Sequence, residues 1–113
     1  MNSYLLLIKG SFAEWNRLSE TRRNEITAQF ADYAEELAKN GRLQGGDGCG
    51  ERSFRFVNAA SGAAESLLPL DTRDMVTGYF LFEVETEEEA IEIAKKCPAF
   101  ACGEYVELVP CGH

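Results

Sequence analysis

The run from Thr77 to Pro98, TGYFLFEVETEEEAIEIAKKCP, holds a strand, a helix cap and a helix in immediate succession. Tyr79, Phe80, Leu81, Phe82 and Val84 are aromatic or aliphatic around a single acid, Glu83, so they favour a pleated strand that is apolar on both faces. Such a strand has to be covered twice. Thr86 and Glu89 form a capping box, Glu87 and Glu88 put negative charge in the first turn, and Lys95 and Lys96 put positive charge in the last. Ala90, Ile93, Ala94 and Cys97 recur on one helical face, and Pro98 stops the helix.

The opening run Tyr4, Leu5, Leu6, Leu7, Ile8 is a second two-sided strand, expected at the centre of a sheet and ended by Gly10 and Ser11. Phe12 to Leu18, around Trp15, reads as one helical turn or an ordered loop. Ser19 caps a long helix from Glu20 to Asn40 with a stripe of Ile26, Phe30, Tyr33, Ala34, Leu37 and Ala38, and Gly41 closes it. The following RLQGGDGCGE is rich in glycine and reads as a loop. A phosphate cradle would need Lys followed by Ser or Thr at the mouth of a helix, whereas these glycines run into a strand from Ser53 to Val57. In that strand Phe54 and Phe56 are expected to face a core. Ala63 to Leu70 reads as its return strand, Asp71 to Asp74 as a polar connector, and Tyr105 to Val109 as the last strand.

The order is β-α-β-β-β-α-β. With the hairpin partner set aside, two βαβ units remain, which predicts one α+β domain over residues 1–113, a ferredoxin-like antiparallel sheet with both helices on one face. The other face of two central strands then needs a second sheet. An identical copy is the simplest source, which predicts a homodimer packed sheet to sheet.

Nineteen acidic against eleven basic residues give a net charge of -8, which repels phosphate backbones and anionic lipid and argues against nucleic acid as a partner. No apolar run approaches the ~20 residues of a membrane helix, and the opening run is too short for the core of a signal peptide. A cytoplasmic protein is expected, its four cysteines reduced. Cys97, Cys102, Cys111 and His113 fall close together in the chain but lack the C-x-x-C spacing that puts two sulfurs on one turn, so no structural metal is expected, and no cofactor. Cys49, between two glycines, is the best candidate for a reactive thiol, against the simpler reading of an inert surface cysteine.

YLLLIKG, then Trp15, a capped helix ending in NGRLQGG, the run TGYFLFEVETEEEAIEIAKKCPA and a final YVELVP together resemble the YCII-related family, and within it the DGPF-domain proteins. The resemblance spans almost the whole chain and implies a dimeric α+β barrel. The Asp-Gly-Pro-Phe motif of that family is replaced here by Ser66, Leu67, Leu68 and Pro69. YCII-like members carry a histidine and an aspartate proposed as a catalytic pair; the single histidine here is His113, so no dyad carries over. Some members are fused to or encoded beside sigma-factor-like regulators, so the resemblance also allows a regulatory partner.

Asp71, Arg73 and Asp74 stand where the resemblance places the polar motif of the family. A pocket is expected between the helices and the sheet near this connector, with Trp15 and Tyr79 as walls, Arg55 and Arg73 as polar contacts, Arg55 anchoring an anion, and Asp71 as a general base. The plainer reading has Asp71 and Asp74 solvating a turn and Trp15 plugging the edge of the core. Two functions follow. One is a binding or accessory module for a small molecule or a regulator, favoured by the absent histidine and motif. The other is a cofactor-independent enzyme, of isomerase, lyase or oxygenase type, using Asp71.

Overall fold

The computed structural model describes residues 2–56, 58–60, 64–66 and 74–112, without the side chains of Arg55 and residues 64–66. The elements run β1 Asn2–Gly10, α1 Phe12–Arg17, α2 Glu20–Lys39, β2 Leu43–Gly48, β3 Ser53–Arg55, β4 Ala64–Ser66, β5 Met75–Val84, α3 Glu87–Lys95, a 3-10 turn Pro98–Cys102 and β6 Tyr105–Cys111. Four strands form one sheet in the order β2-β5-β1-β6, antiparallel at each pairing. This is the ferredoxin-like α+β arrangement, with β3 and β4 inserted as a separate two-stranded ribbon.

Strand alternation decides which face the helices cover. Tyr4, Leu6 and Ile8 of β1 and Phe80, Phe82 and Val84 of β5 are buried, together with Leu37 of α2 and Ala90, Ile93 and Ala94 of α3. Val106 and Leu108 of β6 pack against the same cluster, so both long helices lie on one face. Tyr33 joins them: its hydroxyl donates to the Ile93 carbonyl at 2.6 Å, and its ring meets Phe80 edge to face at 5.3 Å. Burial pushes the Tyr33 phenol well above its ordinary range, which keeps this bond's donor protonated. The caps form as expected, with the Arg22 amide donating to Ser19 Oγ at 3.1 Å and the Glu89 amide to Thr86 Oγ1 at 3.2 Å.

Two expectations from the sequence need correction. Leu43–Gly48, expected as a loop, is the edge strand β2, paired with β5 from Leu43 opposite Phe82 to Gly48 opposite Gly78. Pairing uses backbone groups and needs no side-chain pattern, and glycine lets the strand come close. A Cβ on Gly46 would stand 2.7 Å from Phe80 Cδ1 and 2.8 Å from the Tyr79 carbonyl oxygen. Gly46→Ala is therefore expected to cost about 1–3 kcal/mol in urea unfolding, by forcing β2 off β5. The second correction concerns Ser53 to Val57, of which Ser53–Arg55 form β3 and pair with β4 rather than the main sheet. Phe54 and Phe56, expected in a core, are 56% and 64% exposed. Phe54 lies instead under the Arg52 guanidinium, 5.6 Å from its ring centre.

Among the described residues no helix lies on the opposite sheet face. Val109, Leu5 and Leu81 stand side by side across β6, β1 and β5, and Tyr79 and Tyr105 lie further along the same face, each 36% exposed. Charge enters this face through Lys9 and Glu107, paired at 3.1 Å, and through Glu83, hydrogen-bonded by Gln44.

Candidate functional site

A cleft of about 390 Å³ opens between α1, α2 and the end of the sheet where β1, β2 and β5 meet. Phe12 and Trp15 of α1, Phe30 of α2 and Phe80 of β5 line it with Ile8. Its polar groups are Thr27, Asp47, Cys49, Thr77 and Glu104. Among the described lining residues there is no Lys, Arg or His, so the cleft suits a neutral or positively charged molecule better than an anion.

Thr77 reaches the cleft through a bulge. Ile8 pairs with Gly78 but Lys9 pairs with Val76, which leaves Thr77 as the extra residue on β5. The bulge inverts the alternation, so Met75 is buried where the regular phase would expose it, and Thr77 turns inward. Its hydroxyl contacts Glu104 Oε2 and lies 3.4 Å from the Ile8 carbonyl.

Glu104 is delivered by the segment after α3. Pro98 opens the 3-10 turn, Gly103 ends it in the left-handed region at φ 77°, and the Glu104 amide donates to the Ala99 carbonyl at 3.1 Å. The Glu104 side chain then lies over Gly10, where a Cβ would come within 2.5 Å of Glu104 Cγ. Any larger residue at position 10 would displace the carboxylate. Cys102 Sγ completes the cluster, 2.9 Å from Glu104 Oε1 and 3.3 Å from the Ala99 carbonyl.

Burial first, then the hydrogen bond to Glu104, pushes the Cys102 thiol up to about 12, and burial pushes Cys97 up to about 11. Both hold their protons at neutral pH, and the thiolate is the nucleophile. Iodoacetamide at about pH 8 is expected to label Cys49 and Cys111, which are part exposed, and to reach Cys97 and Cys102 only after unfolding. Peptide mass spectrometry reads the order; early labelling of Cys102 would contradict it.

Of the residues singled out in the sequence, Trp15 and Cys49 line the cleft. Tyr79 lies on the opposite face of β5, alternating with Gly78 and Phe80. Asp71 and Arg73 lie outside the described residues, as does the side chain of Arg55. Asp74 accepts a hydrogen bond from the Tyr105 hydroxyl at the sheet edge. Thr77 and Glu104 were not foreseen, and Cys102 was weighed only as a metal ligand. The available signals were the glycines at 10 and 103 and an acid standing alone between a turn and an apolar strand.

Among the described residues no group of three or more His, Cys, Asp or Glu stands together as a metal site. Among them too, no helix is long and apolar enough to cross a membrane.

The family model of the YCII-related domain matches residues 3–110, so the chain belongs to the YCII-related family. No curated protein matches the sequence. A solved structure similar in fold is 5-chloro-2-hydroxyhydroquinone dehydrochlorinase (TftG) from Burkholderia phenoliruptrix AC1100, in complex with 2,5-dihydroxybenzoquinone. The TM-score is 0.53 at 17% identity, covering 98% of this chain and 94% of that one.

Proposed function

We propose that this YCII-related protein binds a compact, ring-bearing small molecule, neutral or cationic, in the cleft between α1, β2 and β5, and that it does so as a homodimer packed through the open sheet face. The observation that carries the binding reading is a cleft walled by Phe12, Trp15, Phe30 and Phe80 with a hydrogen-bonded carboxylate, Glu104, at one side. Apolar walls with a few convergent polar groups are how small-molecule sites are built. The pairing is supported by the apolar row of Val109, Leu5 and Leu81, a face the helices of the same chain do not reach. A protein of net charge -8 repels its own copy at long range, so apolar contact has to drive the association.

Trp15 is the single tryptophan, so its emission reports the cleft without a label. A library of neutral and cationic ring compounds is expected to yield members that change this emission and raise the melting temperature together. A ligand at a hundred times its Kd adds about 2.7 kcal/mol to stability. Such a ligand should also slow alkylation of Cys49, which lines the cleft, and leave Cys111 unaffected. Ligands that stabilise the fold without touching either Trp15 or Cys49 would place the binding site elsewhere.

The second reading, a cofactor-independent enzyme, gains support from the position of Glu104 in the cleft. In the similar fold of TftG the described activity is a dehydrochlorination and the bound molecule is a ring. For this chain the base would be Glu104, supplied from the described residues, while Asp71 lies outside them.

A further inference from the structure

We propose that Glu104 is the proton-transfer group of the cleft, with Thr77 and Cys102 as positioning residues whose hydrogen bonds change acceptor as Glu104 gains and loses its proton. The inference rests on the small-molecule reading of the same cleft for its substrate, and on hydrogen-bond geometry for everything else.

A hydroxyl or a thiol has one hydrogen to donate. Thr77 Oγ1 nevertheless has two acceptors in reach, Glu104 Oε2 and the Ile8 carbonyl at 3.4 Å. Cys102 Sγ also has two, Glu104 Oε1 at 2.9 Å and the Ala99 carbonyl at 3.3 Å. When Glu104 is ionised, both donors turn to it, one on each oxygen, and charge-assisted bonds of this kind are the stronger ones. When Glu104 is protonated, its own O–H donates to Thr77 Oγ1, and Thr77 passes its hydrogen to the Ile8 carbonyl. Cys102 turns to the Ala99 carbonyl in the same way.

Neither state leaves a donor without an acceptor. A donor left unpaired away from water is destabilising, these contacts are part-buried, and a carboxyl held in place only by fixed donors meets that cost whenever it protonates. Here the cost is removed by two backbone carbonyls, so Glu104 can pass through both protonation states inside one geometry. The thiol of Cys102, pushed up to about 12, remains a donor throughout. The other titratable groups facing Glu104 are Glu14 from α1, whose carboxylate approaches Gly103, Asp47 and Cys49 from the end of β2, and Cys97 from the start of the turn. None of them is cationic.

The chemistry this supports is the tautomerisation of a neutral or cationic ketone or ring phenol. Glu104 takes the proton from the carbon next to the carbonyl. The C–H electron pair becomes the C=C bond, the carbonyl π pair moves to oxygen, and the protonated Glu104 returns the proton to that oxygen. Nothing is oxidised or reduced, and no co-reactant enters.

Two measurements test it on the full chain. The first is an NMR pH titration of protein isotope-labelled at glutamate carboxyls and at isoleucine and alanine carbonyls. The Ile8 and Ala99 carbonyl signals are expected to move in step with the Glu104 carboxyl; both movements vanish in Glu104→Gln, and in Thr77→Val the Ile8 movement alone is lost. Carbonyls that stay still while Glu104 titrates, an Ile8 response surviving in Thr77→Val, or a Glu104 that holds one protonation state wherever the protein is folded would each overturn the inference. The second measurement is hydrogen exchange of 2-indanone, a neutral aromatic ketone, in heavy water. Exchange is expected to run faster with the protein than in buffer and to fall by about 100-fold in Glu104→Gln, while the Trp15 emission change on binding persists. Binding without exchange, or exchange surviving in Glu104→Gln, overturns proton transfer. A failure of 2-indanone to change Trp15 emission counts against the binding reading instead, and the carbonyl titration then decides the proton switch by itself.

Discussion

Phe82→Ala is expected to lower the unfolding free energy by about 3–5 kcal/mol, the largest stability loss of any single substitution considered, measured by urea denaturation with the slope unchanged. Phe82 is 0% exposed near the C-terminal end of β5, between Tyr4 of β1 on one side and Leu43 of β2 on the other. Its ring stacks with Tyr4 at 6.2 Å. Truncation removes the transfer energy of an aromatic ring and leaves a cavity under both helices that a sheet paired on both sides cannot close. A domain of this size has about 5–15 kcal/mol in all, so the variant should be marginal at physiological temperature. A loss below about 1 kcal/mol would mean that β5 is not the centre of the core.

Leu5→Lys should leave the fold intact and abolish the proposed homodimer. Leu5 points away from the helices, between Leu81 and Val109 on the open face, so the substitution removes nothing from the buried cluster. In a two-fold interface it enters twice, placing two like charges against an apolar surface at a cost of several kcal/mol. Since each 1.4 kcal/mol is tenfold in affinity, dissociation should strengthen by about 10³-fold. Sedimentation at micromolar concentration is expected to show a dimer for the unmodified chain and a monomer for Leu5→Lys, with equal helical content. A monomeric unmodified chain, or a dimer that survives the lysine, would rule out the open face as the interface.

The sheet and its helices were readable in the chain wherever side chains carry a period. Thr86 and Glu89 mark the start of α3, Ser19 marks the start of α2, and the two-sided runs around Leu6 and Phe82 identify the central strands. β2 escaped because Gly45, Gly46 and Gly48 have no side chains to alternate. Its position comes from backbone pairing with β5, a long-range property that a local pattern does not encode. Phe54 and Phe56 misled in the opposite direction: they alternate like core residues, yet Phe54 lies in a ribbon outside the main sheet and Phe56 just past its end, both exposed. The cleft was legible only at Trp15 and, as a candidate thiol, at Cys49. Gly10, Thr77 and the turn carrying Cys102 and Glu104 belong to separate parts of the chain, and Thr77 turns inward only because of the bulge opposite Ile8 and Lys9. A bulge of this kind reverses the alternation from which facing is read.

The most direct test of the small-molecule reading is the map of backbone amide shifts on titrating the chain with ring compounds that change Trp15 emission. The cleft geometry predicts shifts concentrated at Trp15, Thr27, Gly46 to Cys49, Thr77, Gly78 and Glu104, which line it together, with the open face of Leu5, Leu81 and Val109 unmoved. Shifts centred on that open face, or spread over the helices with the cleft residues silent, would contradict it.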